Sequence, residues 1–223
     1  MVSVGRFTQV MNATELHLDE ACLAMSSALQ APLDEIDWLA SIDLLAGECP
    51  TPTADGVARY LFSDLGFHGN ARGYYDWRNS CLDSVIERRT GIPISLSVLM
   101  IEVARRVGVP LVGVGLPAHF LVRHAGDEEH FYDPFGGGTV LDRSDARALF
   151  ERVTRGQVAW QESFLQPTMG QTIVVRMLNN LRSIFDVRKD TLRLGLVMQM
   201  RAAVPQLAVA EADEIAAATG VFN

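Results

Sequence analysis

The stretch from Ile92 to Val107 is apolar on every side of a helix. Ile92, Ile94, Leu96, Val98, Leu99, Met100, Ile101, Val103, Ala104 and Val107 leave no polar face, and Glu102, Arg105 and Arg106 gather near its C-terminal end. A helix patterned this way has to be enclosed by other elements. Pro93 suits a first helical turn, where its missing N–H costs nothing, and Gly108 followed by Pro110 is a stop signal. With 223 residues the chain can supply the enclosure. A chain of that length buries roughly 70% of its unfolded surface and needs no staple to fold.

The rest of the chain reads around this helix. Leu16, Glu20, Leu23, Ala24 and Ala28 follow a 3.6-residue period that ends before Pro32, and Leu33 to Ala46 is a second, acidic helical stretch. Asp55 is a candidate cap for a helix from Gly56 to Leu65. Gly66 to Asn79, GFHGNARGYYDWRN, has loop chemistry, and Leu82 to Arg89 reads as a short helix. Two strand-like runs follow, Val112–Val122 and His130–Phe135, with HAGDEE as the turn between them. Gly136-Gly137-Gly138 forces another reversal before a helix over Ser144 to Val153. Ile173, Val174, Met177, Leu178, Leu181, Ile184 and Phe185 form one stripe, and a second helix from Thr191 to Ala203 completes a hairpin, followed by an Ala-rich helix before Gly220. This order predicts an α+β fold: a buried central helix on a small antiparallel sheet, flanked by N-terminal helices and a C-terminal helical hairpin.

Composition excludes several functions. Nineteen basic against 27 acidic residues give a net charge of −8, the wrong sign for a phosphate-backbone binder, so no nucleic-acid partner is expected. Cys22, Cys49 and Cys81 are odd in number and lack C-x-x-C spacing, so neither a disulfide framework nor a metal or other cofactor site is indicated. His124, Asp127, Glu128, Glu129 and His130 are ligand types, but on a turn they read as a solvated tip. Gly113 to Ala118 matches a loose dinucleotide pattern without the helix that must follow. The apolar run Val107–Val122 is broken by Pro110, Pro117 and His119 and cannot span a membrane. Met1 to Ala13 lacks a secretory pattern, so a soluble, cytoplasmic protein is expected.

Chemistry concentrates at His119 and Asp133. A hairpin centred on Gly126 sets them directly opposite on one face. An aspartate there holds the imidazole's tautomer and stabilises its cation, as in acyl-transfer dyads, whereas the plain structural reading is a buried polar pair. A nucleophile for the pair would sit at the start of the preceding buried helix, but Gly91-Ile92-Pro93-Ile94-Ser95-Leu96-Ser97 holds no cysteine. Ser95 and Ser97 fit no nucleophile elbow, and Cys81 is the remaining thiol near that region. Tyr74, Tyr75, Trp77 and Asn79 make an aromatic, donor-rich loop that reads either as a cleft wall or as a structural plug.

YYDWRNSCLDSVIERRTGIPISLSVLMIEVARRVGVPLVGVGLPAHFLVR from Tyr74 to Arg123, with FYDPFGGG from Phe131 to Gly138, resembles the transglutaminase-like superfamily, and within it the bacterial SirB-type proteins. Weaker similarity extends through the helical N-terminus and RMLNNLRSIF, Arg176 to Phe185. The resemblance implies a papain-like core with Cys at a helix start, His on one strand and Asp on the next. His119 and Asp133 match two of these positions, and the cysteine position falls on Pro93. It also implies a tetratricopeptide-like tail, and hence three regions: 1–65 helical, 66–160 the core and 161–223 the hairpin.

Three functions follow from this. The leading expectation is a non-catalytic protein that has kept its cleft for a peptide or small amide ligand, lined by Tyr74, Tyr75, Trp77, Asn79 and Pro93, in a regulatory role with a protein or peptide partner. The alternative is an active hydrolase or acyl transferase using His119 and Asp133 with Cys81 or Ser95. A third is a scaffold that presents apolar surface on Arg182–Met200.

Overall fold

A computed structural model describes residues 4–30, 33–205 and 207. Its α-helices are α1 (Gly5–Met11), α2 (Leu18–Leu29), α3 (Glu35–Gly47), α4 (Ala54–Arg59), α5 (Leu82–Arg88), α6 (Pro93–Arg106), α7 (Arg143–Thr154), α8 (Gly170–Arg188) and α9 (Thr191–Ala202). Its strands are β1 (His68–Gly69), β2 (Thr90–Gly91), β3 (Leu111–Val114), β4 (Leu121–His124), β5 (Phe131–Asp133), β6 (Thr139–Leu141) and β7 (Pro167–Thr168). The chain is an α+β protein that forms two compact units, Met1–Glu35 with Gly170–Asn223, and Ile36–Met169.

In the first unit α8 and α9 form the hairpin, and α2 packs against both. The stripe from Ile173 to Phe185 is buried, while Val187 and Leu192 at the hairpin's turn are exposed. Lys189 takes a left-handed conformation there, and the Asp190 carboxylate accepts the N–H of Arg193 to start α9. The Ala-rich helix expected before Gly220 lies outside the described residues.

In the second unit α6 is the central element, and every residue from Pro93 to Ala104 is buried. It is packed by α4, α5, β3 and β4. Gly108, at φ +77°, ends the chain's helical path. The sheet is antiparallel in the order β6-β5-β4-β3-β7. Val114, Leu116, Leu121 and Phe131 form a core with Ala146, Leu149 and Phe150 of α7. Asp142 caps α7 by accepting the N–H of Asp145.

Four local expectations are corrected. The run Val112–Val122 is not one strand: it is the hairpin β3–β4, with Leu111 opposite His124, bent around Pro117 and Ala118. Proline cannot donate to a ladder, and Ala118 stands at φ +62°, so the extended path breaks there. The helix expected from Gly56 starts earlier, because Thr53 rather than Asp55 caps it, its hydroxyl accepting the N–H of Gly56 at 3.0 Å. Asp55 instead accepts the phenol of Tyr132 at 2.6 Å. Gly66–Asn79 is not all loop: β1 pairs in parallel with β2, His68 with Thr90 and Gly69 with Gly91. Residues Thr139–Leu141, after the triple glycine, add a strand that the sequence reading lacked.

Candidate functional site

His119 and Asp133 are brought together, by a route other than the expected one. The β4–β5 register sets Val122 opposite Tyr132, which centres the hairpin on Asp127 rather than Gly126. His119 precedes β4 in the bend after Ala118, and Asp133 ends β5, so the two are a diagonal pair. A shift of the centre by one whole residue keeps both on the same face, because side chains alternate with period two. His119 Nε2 lies 2.9 Å from Asp133 Oδ1, with both residues buried. The same Oδ1 accepts the N–H of Phe135 at 3.1 Å, and the Asp133 carbonyl accepts the N–H of Gly138 at 2.8 Å. The carboxylate is therefore held by its own turn and can fix one face of the imidazole.

Phe135 extends the site. Its ring stands edge-on to His119 at 6.0 Å and edge-on to Tyr74 at 6.0 Å, and Tyr74 in turn meets Tyr75 at 5.5 Å. Tyr75 is exposed, while Tyr74 and Trp77 are half-buried. This aromatic row runs from the dyad to solvent. Phe135 and the glycines around it are the site residues the sequence reading missed. Their signal was a large ring set among glycines, which has to rest on something.

Asn79 organises the loop from inside. It is fully buried, its Nδ2 donates to the carbonyls of Gly73 and Tyr74, and its Oδ1 accepts from Asn70 and Arg88. Its own carbonyl accepts the Ser95 hydroxyl at 2.6 Å. The Ser95 hydroxyl also accepts the N–H of Ile92 at 3.1 Å, closing the first turn of α6. Ser95 thus ties the loop to the start of the helix, and attack by its oxygen would dismantle both bonds. Ser97 is likewise fully buried, with no partner for its hydroxyl among the described residues.

Pro93 is buried at the first position of α6. Cys81 has no exposed surface, caps the seven-residue α5 without a side-chain bond, and places its sulfur 3.9 Å from the Trp77 carbonyl oxygen. A continuous path of contacts runs from the start of α6 to the dyad: Ser95 to Asn79, Asn79 to Tyr74, Tyr74 to Phe135, and Phe135 to His119. The loop segment at Asp76 is pinned as well. Burial pushes its carboxyl up, but hydrogen bonds from Arg78 more than offset this and hold it below the ordinary carboxylate range.

The acidic turn engages its own groups. His130 Nδ1 pairs with Asp127 Oδ2 at 2.9 Å, and that hydrogen bond raises the imidazole's pKa. His124 Nδ1 accepts the N–H of Gly126, and Arg123 donates to the carbonyls of His124, Ala125 and Asp127. Among the described residues no group of three or more His, Cys, Asp or Glu could hold a metal ion, and no helix is long and apolar enough to cross a membrane.

The chain is 48% identical over 133 residues to a UPF0162 protein of Xylella fastidiosa strain 9a5c, covering 58% of this chain and 47% of that protein. It is 27% identical over 194 residues to a UPF0162 protein of Vibrio cholerae, covering 81% and 70%. It is 31% identical over 163 residues to human F-box only protein 21, covering 68% of this chain and 26% of that protein. The chain spans about half the length of the Xylella relatives. No solved structure matches it. The sequence profile of the transglutaminase-like superfamily covers residues 13–179, three-quarters of the chain and the whole of the dyad's surroundings, and the chain belongs to that superfamily.

Proposed function

We propose that this chain is a SirB-type, transglutaminase-like protein without the thiol nucleophile, which binds a peptide or small amide ligand in a regulatory role. The observation that carries the reading is the His119–Asp133 contact in a chain whose buried central helix starts with Pro93, Ile94 and a Ser95 already engaged in hydrogen bonds. Acyl transfer needs a nucleophile within hydrogen-bond reach of the imidazole, about 2.6–3.2 Å. Proline has none, and the Ser95 hydroxyl is engaged in the cap. The aromatic row from Phe135 to Tyr75 supplies a wall with an exposed end, suited to a peptide backbone and its side-chain amides.

The test is an NMR titration with a library of glutamine-containing peptides, run beside a fluorogenic peptide turnover assay. The expected result is a saturable shift of the His119 and Tyr75 resonances, weakened by Tyr75→Ala and His119→Ala, with no turnover. Turnover that Cys81→Ser abolishes would replace this reading with the enzyme. Absence of any binder, with both variants behaving as wild type in the cell, would end it.

A further inference from the structure

We propose that the hollow between α4 and the β5–β6 hairpin is a ligand site for a small zwitterion, of the class of the free aliphatic α-amino acids. The hollow lies within the second unit and holds about 260 Å³. Asp55, Arg59 and Ser63 line one side, and Tyr132, Gly137 and Val140 the other. None of its lining residues belongs to the aromatic row beside the dyad. Drug-sized ligands take about 300–1,000 Å³, so this volume suits something smaller.

Asp55 and Arg59 are four residues apart on α4, the spacing at which a carboxylate and a guanidinium ordinarily pair. Here they do not. Asp55 is drawn to the sheet instead, where its Oδ1 accepts the Tyr132 phenol at 2.6 Å. Burial pushes that phenol's pKa up, so it keeps the proton it donates. Among the described residues the Arg59 guanidinium and the Ser63 hydroxyl are left without a hydrogen bond or ion pair. The helix also changes form at this point. Tyr60–Asp64 is a π turn, in which the Leu65 N–H donates to the Tyr60 carbonyl at 2.9 Å, and such turns are rare and frequent at functional sites. Phe62 of this turn packs on Gly138, where a Cβ would stand 2.7 Å from Phe62 Cδ2. That contact joins the helix to the glycine turn and closes the end of the hollow.

These groups select the ligand. An α-carboxylate takes the planar fork of the Arg59 guanidinium, with the Ser63 hydroxyl as a further donor. The neighbouring ammonium takes Asp55 Oδ2, the carboxylate oxygen that Tyr132 leaves over. The zwitterion thus completes the helical pair that Tyr132 has separated. Ala58 and Val140 add an apolar wall for an aliphatic side chain. A plain anion would face the Asp55 carboxylate, and a plain cation would face Arg59, so each meets a like charge that the zwitterion does not.

The full 223-residue chain is titrated by amide NMR with L-leucine, with isocaproate, which lacks the ammonium, and with isoamylamine, which lacks the carboxylate. Leucine is expected to shift the Gly137 and Gly138 signals saturably, and to bind at least about ten-fold more tightly than either analogue. Arg59→Ala and Asp55→Asn each weaken leucine by about ten-fold or more, and Ser63→Ala weakens it less. Arg59→Ala leaves the urea midpoint at the wild-type value, because the side chain is exposed and holds nothing in the fold. Isocaproate binding as tightly as leucine would overturn the proposal in favour of a plain anion site. No saturable shift with leucine, or Arg59→Ala and Asp55→Asn chains that bind it like wild type, would overturn it outright.

Discussion

Phe135 rests on the bare α-carbon of Gly69. A Cβ at position 69 would stand 2.4 Å from Phe135 Cδ2, closer than any real contact, and the same ring stands edge-on to His119. The parallel pair β1–β2 sets Gly69 beside Gly91, two residues before α6 begins. Gly69 is therefore the place where the glycine-rich turn of the dyad meets the neighbourhood of the helix start.

Gly69→Ala is expected to drive the Phe135 ring out of this seat. Overpacking of that kind costs about 1–3 kcal/mol. A urea melt should show the loss, and the His119 resonances should move with it. The double variant Gly69→Ala with Phe135→Leu should regain part of the stability, because the smaller side chain clears the new methyl. Equal loss in the single and double variants would show that the ring is not what the methyl strikes.

Gly136→Ala acts on the acid rather than on the ring. Its Cβ would lie 2.6 Å from Asp133 Oδ2, so the carboxylate must turn. Turning it disturbs the Oδ1 contact to His119 Nε2. Nitrogen NMR of the imidazole should report a changed tautomer balance, while backbone shifts in α7 stay as in wild type.

Ser95→Ala removes a hydroxyl that the buried N–H of Ile92 and carbonyl of Asn79 both use. Leaving such groups unpaired costs about 1–3 kcal/mol each before relaxation. The expected outcome is a lower urea midpoint and faster proteolysis of the 70–80 loop. Loss of function with the midpoint unchanged would make Ser95 a reacting group instead.

Acid should loosen the same loop. The Asp76 carboxyl lies below its ordinary value when folded, so its contribution is complete above the unfolded pKa, about 3.9, and is lost as pH falls through the lower folded value. The gain is modest because Arg78 is half exposed and water screens the pair. Proteolysis within residues 70–80 should therefore rise below about pH 4, and Asp76→Asn should show the faster cutting already at neutral pH.

Local pattern was enough for the elements that bury one continuous face or several turns. The all-round apolar run from Ile92 to Val107 meant a buried helix, and α6 is one, with every residue from Pro93 to Ala104 buried. The stripe from Ile173 to Phe185 likewise meant a helix with one buried side. The two-residue strands were not legible. β1 and β2 have two residues each and exist only because they pair with each other, so neither carries a period of its own. The break in Val112–Val122 was hidden because apolar residues continue through the bend, while Ala118 takes a conformation that composition does not encode.

The amino-acid order by itself determined the enclosed helix, its proline start and glycine stop, the α+β class and the presence of His119 and Asp133 near one hairpin. Those features rest on local sterics and on which side chains water rejects, and both are written in the chain. Tertiary structure alone decided the hairpin's register, the seat of Phe135 on Gly69 and the engagement of Ser95 with Asn79. Each of these joins atoms from different segments. Their geometry depends on how the chain packs, because no residue's own preference specifies which distant backbone it will touch.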